Sequence, residues 1–396
     1  MTNQFEDKIT IDQANKFIAS NVRLQYNQSC VGNPSPVLFL SGPPGIGKSE
    51  MYEQICKTNG WGLSTVYLAQ CSMSQMSGLP MVRVTDDTGM GKFVPWSVPE
   101  IFRMDNLRVQ PADDAETRII ILLCDDCHLI DKSRQNYLFQ LLLQKRINDH
   151  QLPPEIVINL AGNGSEDKAG FQTFLSPVTN RIFYLNIYPD YDQWVADFAH
   201  YYGVRTDIIE FLAFSENYLM GTPLESSPWP SPRSWTFASD QLNQFESDGN
   251  KLDISNTFMI VKGLVGSDYA TEYIQYIEIL AGWEASKILD GIKSIDISEL
   301  DRMQCYGLLT SVIRELSIRL RRENFNINLC NQEFKIFKDI MTKVVDKTPT
   351  IISLAMRPLI VEEMAINNNT KLCHVIINSL DNKCQSMVAD MCRSEF

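Results

Sequence analysis

Residues 42–49, Gly-Pro-Pro-Gly-Ile-Gly-Lys-Ser, satisfy the pattern G-x-x-x-x-G-K-[ST] at Gly42, Gly47, Lys48 and Ser49. Such a string can grip a polyphosphate. Its glycines let successive backbone N–H groups face one concavity, and a following helix adds the partial positive charge of its N-terminus. Gly42, Pro43, Pro44, Gly45, Ile46 and Gly47 would wrap the phosphates, with Glu50 beside them at the helix start. Lys48 would neutralise the β- and γ-phosphates, and the Ser49 hydroxyl would sit on Mg²⁺. Hydrolysis needs more than a grip, and Asp125-Asp126 close the apolar run Ile119–Leu123. Asp125 would hold the Mg²⁺ shell and Asp126 would orient the attacking water. The plainer alternative is that both aspartates cap the next helix.

Cys124-Asp125-Asp126-Cys127-His128 also matches C-x-x-C-H, the spacing of c-type haem attachment. Its first cysteine ends an apolar run, and no second C-x-x-C pair exists to complete four zinc ligands. Neither haem nor zinc is expected.

These residues need a sheet edge to stand on. Val37–Ser41, Leu63–Leu68, Ile119–Cys124, Ile156–Ala161 and Ile182–Leu185 read as strands, with a helix over Arg134–Ile147. The alternation of strand and helix predicts an α/β domain with a parallel sheet over residues 1–188, and ligands of such sheets sit at the carboxyl ends of the strands. Gly78-Leu79-Pro80 and the turn-rich stretch before Trp96 predict an inserted hairpin at about 72–100. After Tyr188-Pro189-Asp190 the strand signals stop. Helices are expected at Gln193–Tyr202, Asp207–Phe214, after Arg233, at Phe258–Leu264 and at Tyr273–Trp283, and helix throughout the remainder.

The chain has 396 residues, 44% hydrophobic and 21% charged, the composition of a globular protein with sizeable cores. No apolar run approaches the ~18–20 residues of a membrane span, and the first residues lack a signal pattern, so a cytoplasmic location is expected. The formal net charge of −13 argues against coating a nucleic-acid backbone. Arg314, Arg319, Arg321 and Arg322 form the one dense basic cluster, which on a helix is usually a solvated face. Ten scattered cysteines show no disulfide framework.

The phosphate loop, the acidic strand end and Ile156–Asn163 together resemble the core of an AAA+ ATPase. That resemblance implies that Asn163, at the strand tip, helps place the water. Leu175-Ser176-Pro177-Val178-Thr179-Asn180-Arg181-Ile182 is similar to the segment whose arginine reaches a neighbouring subunit's nucleotide, which implies that role for Arg181. Trp229-Pro230-Ser231-Pro232-Arg233-Ser234-Trp235 is similar to the lid motif whose arginine touches the γ-phosphate in cis, which points to Arg233. Gly78-Leu79-Pro80 with Trp96 and Pro99 is similar to the helix-2 insert of the MoxR-like, dynein-related branch, and Leu141–Arg146 with Ser231-Pro232-Arg233-Ser234-Trp235 resembles bacterial and phage members of that branch. The implied organisation is a P-loop AAA+ core (1–188), a helical lid (189–285) and an all-α C-terminal region (286–396).

The implied function is ATP binding and hydrolysis to ADP and phosphate, with Mg²⁺, in a homo-oligomeric ring, by resemblance a hexamer. Such a ring would remodel or assemble a partner protein, often one with a von Willebrand A domain, in the cytoplasm (the host's, if phage-encoded). Two other readings are a DNA-acting translocase or helicase and a nucleotide-gated scaffold with little turnover. The scaffold reading draws on one departure, because Asp126 stands where most AAA+ proteins have glutamate.

Overall fold

The structure is a computed structural model that describes residues 9–81, 96–102, 107–113, 118–164, 174–222, 227–322 and 330–367, with 375–378, 380, 384–386 and 388. The chain divides into two compact units, Met1–Tyr188 and Pro189–Phe396.

In the first unit, β1 (Val37–Ser41) is followed by β2 (Gly62–Tyr67), β3 (Ile120–Asp125), a two-residue pair β4 (Arg146–Ile147) and β5 (His150–Gln151), then β6 (Ile156–Gly162) and β7 (Ile182–Asn186). The helices are α1 (Ile11–Cys30), α2 (Lys48–Asn59), α3 (Met73–Ser77), α4 (Lys132–Gln144) and α5 (Ser176–Thr179). Five strands form one sheet in the order β2-β3-β6-β1-β7, and every pairing is parallel. β1 and β6 are buried along their whole length, as a sheet covered on both faces requires. Phe39, Leu122, Leu138, Leu141, Ile158 and Leu160 close the core between the sheet and α4. This is the fold class that the AAA+ resemblance implies, an α/β P-loop core followed by helices.

The helix expected over 134–147 spans Lys132–Gln144 instead. Lys145 turns left-handed (φ 48°), and Arg146–Ile147 leave the helix to pair with His150–Gln151. A half-buried ammonium helps hold that exit, since Lys145 Nζ donates to Ser29 Oγ at 2.9 Å and partial burial lowers its pKa to about 8. Of the expected hairpin the structure describes only the base. Pro80 pairs antiparallel with Trp96, and Leu79 N–H donates to Ser97 Oγ at 2.8 Å. Its residues 82–95, with Arg83, Asp86, Asp87 and Lys92, lie outside the described residues.

In the second unit every described regular element is helical, the longest being Pro232–Ser247, Ser267–Gly282, Arg302–Arg322, Asn331–Lys347 and Ile351–Asn367. One continuous cluster of buried side chains runs from Tyr191 to Val388, spanning position 285 where the sequence suggests a division. Trp235 is fully buried in it and donates from Nε1 to the Tyr218 carbonyl at 2.7 Å, a packing role. Among the described residues no helix is long and apolar enough to cross a membrane.

Candidate phosphate-binding site

The sheet order brings the sequence-predicted residues together. The chain leaves β1 toward β2 and returns through β3 and β6, so β1, β6 and β3 lie side by side and open at the same edge. Register places Ser41 beside Gly162, and Cys124 beside Leu160. Gly42, Asn163 and Asp125 therefore leave the sheet at nearly one level, in the crevice where such sheets bind ligands.

The loop after β1 depends on glycine for two reasons. Gly45 (φ 85°) and Gly47 (φ 89°) are left-handed, a conformation that L side chains rarely adopt. At Gly42 the constraint is space, since a Cβ would stand 2.6 Å from the Ile187 carbonyl oxygen. Ile46 is buried and anchors the loop, whereas Pro43, Pro44 and Gly45 are half-buried. Gly47 is the N-cap of α2, which starts at Lys48. No side chain caps the first turn of that helix. Glu50 is exposed on the same turn, where an acid suits the helix dipole irrespective of any ligand.

Lys48 Nζ donates to the carbonyls of Gly42 (2.8 Å) and Pro43 (2.9 Å) and to Asn163 Oδ1 (3.1 Å). The Ser49 hydroxyl donates to Asp125 Oδ2 at 2.6 Å, and the Asp126 N–H donates to Asp125 Oδ1 at 2.9 Å. Both oxygens of the buried Asp125 carboxylate are thus oriented. Asp126 is half-buried and left-handed (φ 52°, ψ 33°), an unusual state that aspartate tolerates. It precedes a 3₁₀ turn, Cys127–Leu129, but its side chain makes no capping bond there. The residue that caps α4 is Asp131, whose Oδ1 accepts from Arg134 N–H at 3.0 Å. Helix capping therefore accounts for Asp131 and for neither Asp125 nor Asp126.

A residue that the sequence reading passed over stands in the same cluster. His128 is 2% exposed, accepts the Asn163 backbone N–H on Nδ1 at 3.1 Å and places Nε2 3.1 Å from Asn163 Nδ2. The available signal was a polar residue in an otherwise apolar turn, Cys127-His128-Leu129-Ile130. Neighbouring Cys124 and Cys127 face the core, where burial raises both thiol pKa values and keeps them protonated.

Two predicted residues are elsewhere. Arg181 precedes β7, and its carbonyl accepts from Val37 N–H at the start of β1. The loop begins at the other end of that strand, five residue steps of about 3.3 Å away, or roughly 16 Å. Its guanidinium lies over the Phe139 ring at 4.8 Å and donates to the Pro177 carbonyl. Within one chain Arg181 cannot reach the phosphate loop. Arg233 belongs to the second unit, exposed on the first turn of the helix Pro232–Ser247. The basic cluster in that unit is largely neutralised: Arg314 pairs with Glu210, Arg319 with Asp290, Glu315 and Glu333, and Arg321 with Glu362.

No protein-family model and no curated protein matches the chain. Among solved structures it is similar to a RuvB variant of Thermotoga maritima at 13% identity, covering 76% of this chain and 84% of that one with a TM-score of 0.33. The ORC2 protein of Aeropyrum pernix, in a structure described as its ADP form, is 13% identical, with 75% and 80% covered and a TM-score of 0.37. A second structure of that protein, described as ADPNP–ADP complexes, is 11% identical over 100% and 97% at a TM-score of 0.39. Likenesses this slight leave the function to be argued from the chain's own residues.

Proposed function

We propose that this chain binds ATP with Mg²⁺ at the Lys48–Ser49–Asp125 cluster and hydrolyses it, as an AAA+ ATPase of the MoxR-like branch. The observation that carries the reading is the convergence of three strand ends on one point, with Ser49 Oγ 2.6 Å from Asp125 Oδ2 and Lys48 Nζ 3.1 Å from Asn163 Oδ1. Sequence separation makes that convergence hard to explain as local structure, since Ser49 and Asp125 are 76 residues apart.

The donor set fits the cofactor. Magnesium prefers oxygen ligands and is usually held by one or two carboxylates with substrate phosphates, which Asp125 and the Ser49 hydroxyl match. When bound, it would neutralise charge building on the phosphate oxygens. The main-chain N–H groups from Gly45 to Ser49 would hold the phosphates, with Lys48 as the point charge among them. Asp126, whose carboxylate takes no part in capping, orients the attacking water together with Asn163.

Arg181, roughly 16 Å from its own loop, serves a neighbouring copy, and so the working form is a ring, a hexamer by resemblance. Arg233 occupies a helix first turn, where a cation opposes the dipole at a cost of about 0.3–1 kcal/mol. Its assignment to the γ-phosphate rests on the resemblance of Ser231-Pro232-Arg233-Ser234 to the lid motif. The output is remodelling or assembly of a separate partner protein, one with a von Willebrand A domain being the expected kind. A net charge of −13 and the pairing of the Arg314–Arg322 cluster favour a protein partner over nucleic acid.

Calorimetric titration of Mg-ATP tests the premise. Removing one charge-assisted donor costs about 1.5–3 kcal/mol, so Lys48→Ala should weaken affinity by roughly 10–100-fold. Affinity equal to the parent's would exclude the loop as the phosphate site.

A further inference from the structure

Asn163 receives contradictory demands from its two neighbours. On one side the Lys48 ammonium, which can only donate, takes Oδ1 at 3.1 Å. On the other, Nδ2 lies 3.1 Å from His128 Nε2. The third contact decides what that ring nitrogen carries. Because the Asn163 backbone N–H donates to Nδ1 at 3.1 Å, Nδ1 must offer a lone pair, and the proton of the neutral imidazole belongs on Nε2. An Nε2–H then faces the donor end of the carboxamide. A half-turn about the Asn163 Cβ–Cγ bond would cure this mismatch, but it would point the NH₂ group at Lys48.

The ring has little freedom to avoid the conflict. A Cβ on Gly162 would lie 3.0 Å from His128 Nδ1, so the imidazole packs directly against bare backbone. At 2% exposure, bulk water does not relieve an ill-matched contact.

We propose that His128 is a positioning residue that sets the Asn163 carboxamide. Its Nε2–H and the Lys48 ammonium compete for one amide oxygen. When Lys48 turns toward phosphate, the oxygen passes to His128 and the NH₂ group is left facing the phosphate site. The inference rests on the phosphate role proposed for Lys48. The sense of the turn is chemically useful, because phosphate oxygens accept hydrogen bonds and would be repelled by an amide oxygen. His128 lies two residues beyond Asp126, so one turn of chain carries both the water-orienting acid and the group that orients Asn163.

Long-range ¹H–¹⁵N spectra of the full chain labelled with ¹⁵N-histidine decide the tautomer, the four histidines being assigned with His128→Asn. The expected result is an Nε2-protonated His128 whose Nε2 resonance shifts on saturation with Mg and the non-hydrolysable analogue adenylyl imidodiphosphate. A proton on Nδ1, or a resonance unmoved at saturation, overturns the proposal. In turnover assays His128→Gln places an amide donor near the position of Nε2 and should keep kcat within about threefold. His128→Asn replaces only the Nδ1 acceptor and should lose about 10–100-fold in kcat with nucleotide affinity little changed. Equal kcat in the two variants overturns the positioning role. A wrong tautomer alongside Lys48-dependent binding removes only His128, whereas binding that ignores Lys48→Ala removes the phosphate reading beneath it.

Discussion

Asp126 shows how much a single residue's surroundings decide. Its carboxylate is one methylene shorter than the glutamate of most AAA+ proteins, and a shorter arm alone suggests poorer reach toward a water. The left-handed backbone at 126 alters that comparison by changing the direction in which the side chain leaves the strand. Asp126→Asn preserves size and removes the charge, so it should bind Mg-ATP like the parent while kcat falls by about 10²–10⁴, the usual worth of a positioned general base. Phosphate-release kinetics beside a binding titration check this, and a variant with parental kcat would take Asp126 out of the reaction. A parent that binds but scarcely turns over would instead favour the nucleotide-gated scaffold. Asn163 and His128 carry the complementary lesson. The sequence marks one as a strand-tip polar residue and leaves the other inside a C-x-x-C-H string, yet the fold brings the two into contact.

Among the elements, the loop between β1 and α2 is held by tight backbone constraints. Its fit to the sheet depends on Gly42 as well as on the two left-handed glycines. Gly42→Ala would set a methyl 2.6 Å from the Ile187 main-chain oxygen, and backbone cannot move aside as a flexible side chain can. Strain of this kind costs about 1–3 kcal/mol. The variant should melt several degrees lower by circular dichroism and bind Mg-ATP at least about tenfold more weakly. An unchanged melt with unchanged affinity would show that the loop does not need its close packing on Ile187. The strands were legible because buried parallel strands read as short apolar runs between turn residues, and β1 begins and ends where the pattern places it. The end of α4 was not. Apolar spacing continues through Ile147, and the turn to β4 is made at left-handed Lys145 (φ 48°) and held by tertiary hydrogen bonds such as Lys145 to Ser29.

At the scale of the whole molecule, the placement of Arg181 makes the proposed site incomplete in a single chain. Arg181→Ala should bind Mg-ATP normally and lose about 10³-fold or more in kcat. Mixing it with Asp126→Asn should restore turnover, because each variant supplies what its neighbour lacks. Full activity of Arg181→Ala alone, or no recovery in mixed rings of confirmed composition, would end the shared-site proposal. Stimulation of the parent by DNA would favour the translocase reading over protein remodelling. The sequence by itself determined the chemistry on offer, since a phosphate loop and an acidic strand end are local patterns whose backbone and charge requirements lie within a few residues. Tertiary structure decided which residues share the site. Strand order is set by long-range packing, and it alone brings Lys48, Asp125, His128 and Asn163 to one edge while holding Arg181 at the other.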